Sequence, residues 1–273
     1  MALPNTFAFY SQASWPNRIR HLLDKNFAAL CQYEVEQERI DEIARRPVSV
    51  GNAPAPNQFA EARTFLLSEL NVSLRDANLV GAHCTRLCED EIELITSVSG
   101  LQPMSTELAH ARVGARRAAG ELTEAQATQL LAGEFDASGA NGAGGAHMAL
   151  AFTQGTLGRD QAVGKYFRSW GGETLARQAG ADAELKAALA ALGTPCIVEV
   201  EVPVASIDVA NLIAERLVTN YLRHKGVDAM GEVELVGQVQ GAIPAERVLR
   251  VVRRSDAEFE RIVVGNKWKP KLK

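Results

Sequence analysis

The segment from Thr194 to Pro203 restricts the fold of this chain more than any other stretch. Apolar residues alternate with glutamates along it, and Pro195 and Pro203 bound it, which predicts a β-strand. Residues 14–46, in contrast, carry apolar side chains at helical spacing and stop at Pro47, which predicts a long helix. The chain therefore combines a sheet with substantial helices.

The length of 273 residues, 47% of them hydrophobic, suits one large domain or a main domain with an appendage. Helices predicted over 14–46 and 59–70 make residues 1–70 a helical N-terminal region. Residues 71–265 then form the main domain. Residues 266–273, with four lysines, form a basic tail.

Composition excludes several classes of protein. No run of about 18 apolar residues is present, so no membrane partner is expected. The N-terminus lacks the pattern of a secretory signal, and the four cysteines are scattered, which predicts a cytoplasmic protein. A net charge of −4 argues against nucleic-acid binding by bulk charge. A local basic group of Arg112, Arg116 and Arg117 keeps a nucleic-acid partner open, although a solvated face is the commoner explanation.

An isolated histidine follows the apolar stretch Leu79–Ala82 and precedes a helix predicted from Glu89. At the end of a buried strand, His83 beside Thr85 could present a ring nitrogen to a ligand. A structural histidine is the commoner alternative. Cys84 and Cys88 match no common zinc spacing, so no metal site is predicted.

Two further stretches contain unusual side chains. Tyr166, Phe167 and Trp170 crowd around Arg168 before a double glycine; such a cluster could stack a flat ring, or it could be a helix end packed in the core. Glu232 and Glu234 alternate with apolar residues, which predicts a strand with both carboxylates on one face. That face meets either solvent or a cleft.

The order of these features resembles the ADP-ribosyltransferase superfamily, the diphtheria-toxin-like and poly-ADP-ribose-polymerase-like enzymes with a histidine–tyrosine–glutamate arrangement. The resemblance covers roughly residues 72–252. His83-Cys84-Thr85 matches a His-Gly-Thr motif, with cysteine in place of glycine. The segment 150–153 followed by Tyr166 resembles the second motif. Glu232 or Glu234 before the turn at 243–248 resembles the third, at a longer spacing than the family's.

The resemblance implies an α+β fold with a split mixed or antiparallel β-sheet and NAD as a substrate, without a metal. His83 would hold a ribose hydroxyl, the Cys84 backbone the nicotinamide amide, and Tyr166 or Phe167 the nicotinamide ring. Glu234 or Glu232 would stabilise the positive charge that develops on the ribose. Thr85, Arg86, Phe152 and Arg168 complete the implied NAD-binding set, with Arg86 or Arg168 on the pyrophosphate.

The implied function is mono-ADP-ribosyl transfer from NAD to a protein side chain or a nucleic acid. A bacterial-type toxin or antiphage defence effector, silenced by an antitoxin or inhibitor protein, would fit such an enzyme. Two alternatives stay open. An NAD glycohydrolase would use water as the acceptor, and a non-catalytic interaction module would use His83 and the glutamates only structurally.

Overall fold

The structure is a computed structural model, and it describes residues 5–45, 55–132, 147–153, 157 and 161–263. The basic tail predicted at 266–273 lies outside the described residues. The described helices are α1 (Asn17–Arg45), α2 (Ala60–Leu74), α3 (Glu89–Ser97), α4 (Thr106–Ala118), α5 (Glu124–Leu131), α6 (Gln161–Tyr166), α7 (Gly172–Gln178), α8 (Ala183–Ala191), α9 (Ala210–His224) and α10 (Ala257–Ile262). The described strands are β1 (Thr6–Phe7), β2 (Asn78–Leu87), β3 (His147–Ala151), β4 (Thr194–Pro203), β5 (Val236–Gln240) and β6 (Val248–Arg253).

The chain divides into two compact units. The first contains Met1–Leu79, Pro203–Ala205 and Val209–Leu235, and the second contains Val80–Val202, Ser206–Asp208 and Val236–Lys273. The first unit thus extends beyond the N-terminal region drawn at residue 70, because it also takes in α9 and the segment that follows it. None of the helices in the described ranges is long and apolar enough to cross a membrane.

The first unit is a helical body in which α9 packs on both α1 and α2. Buried leucines and isoleucines supply the contact surfaces on all three helices, so apolar burial holds this distant segment against the N-terminal helices. Two polar contacts add to it. Tyr221 Oη donates to Asp24 Oδ1 at 2.6 Å, and the Met230 N–H donates to Glu34 Oε2 at 2.7 Å.

The second unit contains an open sheet with the strand order β5-β3-β2-β4-β6. The pairs β3–β5, β2–β3 and β4–β6 are antiparallel. β1 pairs in parallel with Asn78 and Leu79, the two β2 residues that belong to the first unit. The prediction of an α+β fold is therefore confirmed, with a mostly antiparallel sheet. The strand predicted from Thr194 to Pro203 is confirmed with the same bounds.

The described residues of the second unit include two hydrophobic cores. One joins α4, α5, α7 and α8 around Trp170, and the other joins β2, β4, β6 and α10 around Phe167 and Phe259. The two phenylalanine rings have centroids 5.4 Å apart. These cores fix β2 and α4, which carry most of the polar side chains considered below.

Two strand predictions need correction. His83 is not at a strand end, because β2 continues for four more residues to Leu87. The strand predicted at 231–236 begins only at Val236, so Glu232 and Glu234 precede it. Side chains from α9 hold that preceding segment outside any ladder: Arg216 Nη1 donates to the Glu232 carbonyl at 2.9 Å, and Arg223 Nη2 to the Gly231 carbonyl at 2.6 Å.

Candidate functional site

A cavity of about 440 Å³ lies within the second unit. Its volume falls in the range of about 300–1,000 Å³ that is typical of small-molecule sites. The walls come from β2, β3, α3 and α4, from the loop 99–104, and from Tyr166 with the segment 171–174. Most of the lining is apolar, and a few polar groups converge on it, which is the usual composition of a ligand site.

His83 lines this cavity together with Thr85 and Leu87. These residues alternate along β2, so their side chains share one face of the sheet. His83 Nδ1 lies 3.1 Å from the Ala149 carbonyl oxygen on the neighbouring strand. Because a carbonyl only accepts, Nδ1 carries the proton, and a neutral ring leaves Nε2 as an acceptor.

Burial lowers the pKa of His83, the hydrogen bond to Ala149 opposes this effect, and the positive charge of Arg112 lowers the pKa further. The net shift is downward from the usual value of 6.5. His83 is therefore neutral at pH 7, and it offers a ligand an acceptor nitrogen rather than a positive charge.

The aromatic stretch divides between the cavity and the core. Tyr166, at the end of α6, lines the cavity and is half-buried. Phe167 and Trp170 are 0% exposed and belong to the two cores, so the core interpretation is correct for both. Phe167 does not line the cavity, so Tyr166 is the aromatic residue of this stretch that does. Gly171, with φ 78°, turns the chain beneath the Leu175 side chain, where any Cβ would clash.

Glu91, Arg112 and Trp170, which the resemblance did not place in the NAD site, form a network at the cavity wall. Glu91 Oε1 accepts from Arg112 Nε at 2.6 Å. Glu91 Oε2 accepts from the Trp170 indole N–H at 2.9 Å and from the Cys88 backbone N–H at 2.8 Å. The Arg112 guanidinium also lies over the Trp170 ring, 4.7 Å from its centroid. Glu91 and Arg112 both line the cavity.

Burial raises the pKa of Glu91, but the charge of Arg112 and the hydrogen bonds from Arg112, Cys88 and Trp170 outweigh it. The pKa of this carboxyl is therefore lowered overall, and Glu91 is ionised at neutral pH. With both oxygens engaged, Glu91 orients Arg112 rather than presenting a free carboxylate. The second lining carboxylate, Glu173, is exposed.

Arg86, which the resemblance placed on the pyrophosphate as an alternative to Arg168, lies in a buried position. It is 7% exposed and absent from the cavity lining. Its guanidinium donates to the carbonyls of Leu192, Phe167 and Gly193 at 2.8, 3.1 and 2.9 Å. These bonds hold the Arg86 side chain at the turn between α8 and β4, so it has a structural role.

The remaining predicted residues lie in different environments. Arg168 is exposed and does not line the cavity. Phe152 is 1% exposed, and its ring would contact a Cβ at Gly81, so it packs against β2 as a core residue. Cys84 lines the cavity, but its side chain also belongs to the core around Phe167, so this cysteine has a packing role.

Glu232 and Glu234 belong to the first unit. Glu232 is exposed, and its carboxylate accepts from Arg216 Nη2 at 3.0 Å. Glu234 is half-buried. The cavity described above is lined by residues of the second unit, so a catalytic role for either glutamate stays a prediction from the resemblance.

The basic group on α4 does not form a free cationic patch. Arg112 pairs with Glu91, Arg116 is buried between Asp90 and Glu121, and Arg117 pairs with Glu124 at 3.0 Å. The arginines near the end of the described chain are likewise engaged, since Arg250 contacts Glu199 and Glu258. In the described residues, neither group adds support for a nucleic-acid surface.

No group of three or more histidine, cysteine, aspartate or glutamate side chains comes together as a metal site within the described ranges. Comparison of the chain with models of known protein families, with curated proteins and with solved structures found no match.

Proposed function

We propose that the second unit binds NAD in the His83 cavity and that the protein transfers ADP-ribose from it to a macromolecular acceptor. One observation carries the proposal. His83 and Tyr166, the histidine and tyrosine that the resemblance selects from distant parts of the sequence, line the same cavity. Thr85 and the Cys84 backbone position of the first motif lie on the same wall.

The chemistry of the lining suits a nucleotide that carries sugar hydroxyls and flat rings. The neutral His83 ring can accept a hydrogen bond from a ribose hydroxyl at Nε2. The half-buried Tyr166 ring can stack on nicotinamide, with apolar contacts from Met148 and Leu150 on β3. Together these contacts would orient the bond between nicotinamide and ribose.

Cleavage of that bond develops positive charge on the ribose, which a nearby carboxylate stabilises. Glu91 is engaged by three donors, so it does not fit this role. Glu234 and Glu232 are the candidates from the resemblance, and Glu173 is the candidate from the cavity lining. Substituting glutamine at each of these positions in turn identifies the carboxylate that stabilises the ribose charge. The neutral amide keeps the size of the glutamate side chain and removes its charge.

The experiment is to incubate the purified protein and cell lysate with NAD labelled on its adenine side. We expect the label to enter macromolecules, and protease or nuclease treatment then identifies a protein or nucleic-acid acceptor. His83→Ala should reduce labelling about tenfold or more, since it removes a hydrogen bond and a wall of the site. His110→Ala on exposed α4 surface is the matched control and should label normally.

Tyr166 adds a second comparison. Tyr166→Phe retains the ring and should keep activity, whereas Tyr166→Ala should lose it. Release of all the label as free ADP-ribose would establish the glycohydrolase alternative. Absence of NAD binding and turnover in the wild-type protein would refute the proposal and favour an interaction module. A toxin or defence role, with a silencing partner protein, follows only if transfer is observed.

A further inference from the structure

Arg112 has hydrogen-bonding capacity that the described chain does not use. Its Nε is bonded to Glu91 and its flat face is covered by Trp170. Its Nη2 atom, in contrast, is buried and has no hydrogen-bond partner among the described residues. A guanidinium carries five N–H donors, and burying one of them without a partner is unfavourable.

The surroundings of Arg112 hold the guanidinium rigidly. The side chain is only 15% exposed, and that of Glu91 is 9% exposed. Glu91 is itself fixed by the Cys88 and Trp170 N–H groups at the start of α3. A planar fork whose rotamer is set by an ion pair and an aromatic ring is preorganised for an anion, because little side-chain entropy is lost on binding.

Glu91 has hydrogen-bond donors besides Arg112. The Glu91 carboxylate is compensated by a backbone N–H, an indole N–H and the positive end of α3 as well as by Arg112. Glu91 therefore does not depend on Arg112 alone for its hydrogen bonds, and Arg112 can contact a second acceptor. Among the described residues that line the cavity, Arg112 is the one arginine or lysine.

We infer that Arg112 is the anion-binding residue of the cavity and that it takes the pyrophosphate of NAD or ADP-ribose. This inference rests on the proposed function for the identity of the ligand, while the anion site itself follows from the geometry. Glu91 and Trp170 are positioning residues that act through Arg112. Arg112 on α4 thus takes the pyrophosphate-binding role that the resemblance assigned to Arg86 or Arg168.

The test measures the binding of ADP-ribose, inorganic pyrophosphate and adenosine to the full-length protein by calorimetry. Wild-type protein should bind ADP-ribose at least about tenfold more tightly than adenosine, because a charge-assisted hydrogen bond contributes that much affinity. Arg112→Gln should remove this difference and leave adenosine binding unchanged. Arg117→Gln is the matched control: it makes the same change on the same helix, at an exposed residue paired with exposed Glu124.

Arg112→Lys provides a second variant in case Arg112→Gln does not fold. It keeps the charge beside Glu91 but loses the fork, so the ratio of the two affinities should fall severalfold. Trp170→Phe keeps the aromatic face and removes the indole N–H, and it should lower the same ratio. A purely structural role for these residues would change stability but not the preference for ADP-ribose over adenosine.

Three results would overturn the inference. They are equal affinity of the wild-type protein for ADP-ribose and adenosine, an Arg112→Gln variant that keeps the wild-type ratio, and an Arg112→Lys variant that keeps it. Failure of the proposed function gives a different pattern. The wild-type protein would then leave NAD intact, yet inorganic pyrophosphate would still bind to it and not to Arg112→Gln.

Discussion

Replacing Arg86 by methionine separates the structural role found here from the ligand role that the resemblance implied. Methionine keeps an apolar stem of similar length and removes the guanidinium. Three carbonyl oxygens then lose their donors: those of Leu192, Phe167 and Gly193, which accept at 2.8–3.1 Å. At about 1–1.5 kcal/mol for each bond, the free energy of unfolding should fall by about 3–4.5 kcal/mol.

Urea denaturation followed by circular dichroism measures this loss. With a denaturant dependence of about 3 kcal/mol per M, the midpoint should fall by about 1 M or more. The exposed Arg168→Met is the matched control and should change the midpoint little. ADP-ribose affinity of the folded Arg86→Met protein should stay within about twofold of the wild type. An unchanged midpoint combined with a tenfold loss of affinity would refute the structural assignment and restore Arg86 to the ligand.

The remaining predictions concern one backbone position and one titrating group. Gly193→Ala should lower the free energy of unfolding by at least about 2 kcal/mol more than Gly120→Ala. Both glycines have positive φ, but only at Gly193 would the new Cβ lie 2.5 Å from the Leu87 carbonyl oxygen. Equal losses of stability in thermal denaturation of the two variants would contradict this. Burial and Arg112 together lower the pKa of His83 despite its hydrogen bond to Ala149. His83 therefore binds a proton more readily in the unfolded chain than in the folded protein. The free energy of unfolding should fall as the pH drops below about 6.5. His83→Gln should make the slope of stability against pH between 7 and 5 shallower, and an unaltered slope would show that His83 stays accessible to protons in the folded state.

Local signals in the sequence sufficed for much of the fold. The alternation and prolines of Thr194–Pro203 predicted the strand bounds, and Ser105 caps α4 by accepting from the Leu108 N–H at 3.1 Å. Such features depend on residues within a few positions of each other. The same holds for the helix at Glu89, whose first turn carries three acidic residues.

The candidate site depends on contacts that a single sequence does not reveal. Glu91 meets Arg112 across 21 positions and Trp170 across 79, so neither spacing nor periodicity connects them. The only local hint is that Glu91 occupies the third position of α3 and bonds back to the Cys88 N–H, a capping pattern that explains its place but not its partner. Likewise, alternation at 231–236 suggested a strand, whereas long side chains from α9 hold that segment in another conformation.

The most direct test of the central claim is a crystal structure of the protein with ADP-ribose. We predict that the ligand lies in the cavity between β2 and α4, with pyrophosphate oxygens about 2.7–3.2 Å from the Arg112 guanidinium and a ribose hydroxyl at the same range from His83 Nε2. ADP-ribose bound elsewhere, or in the cavity without contact to either residue, would contradict the account.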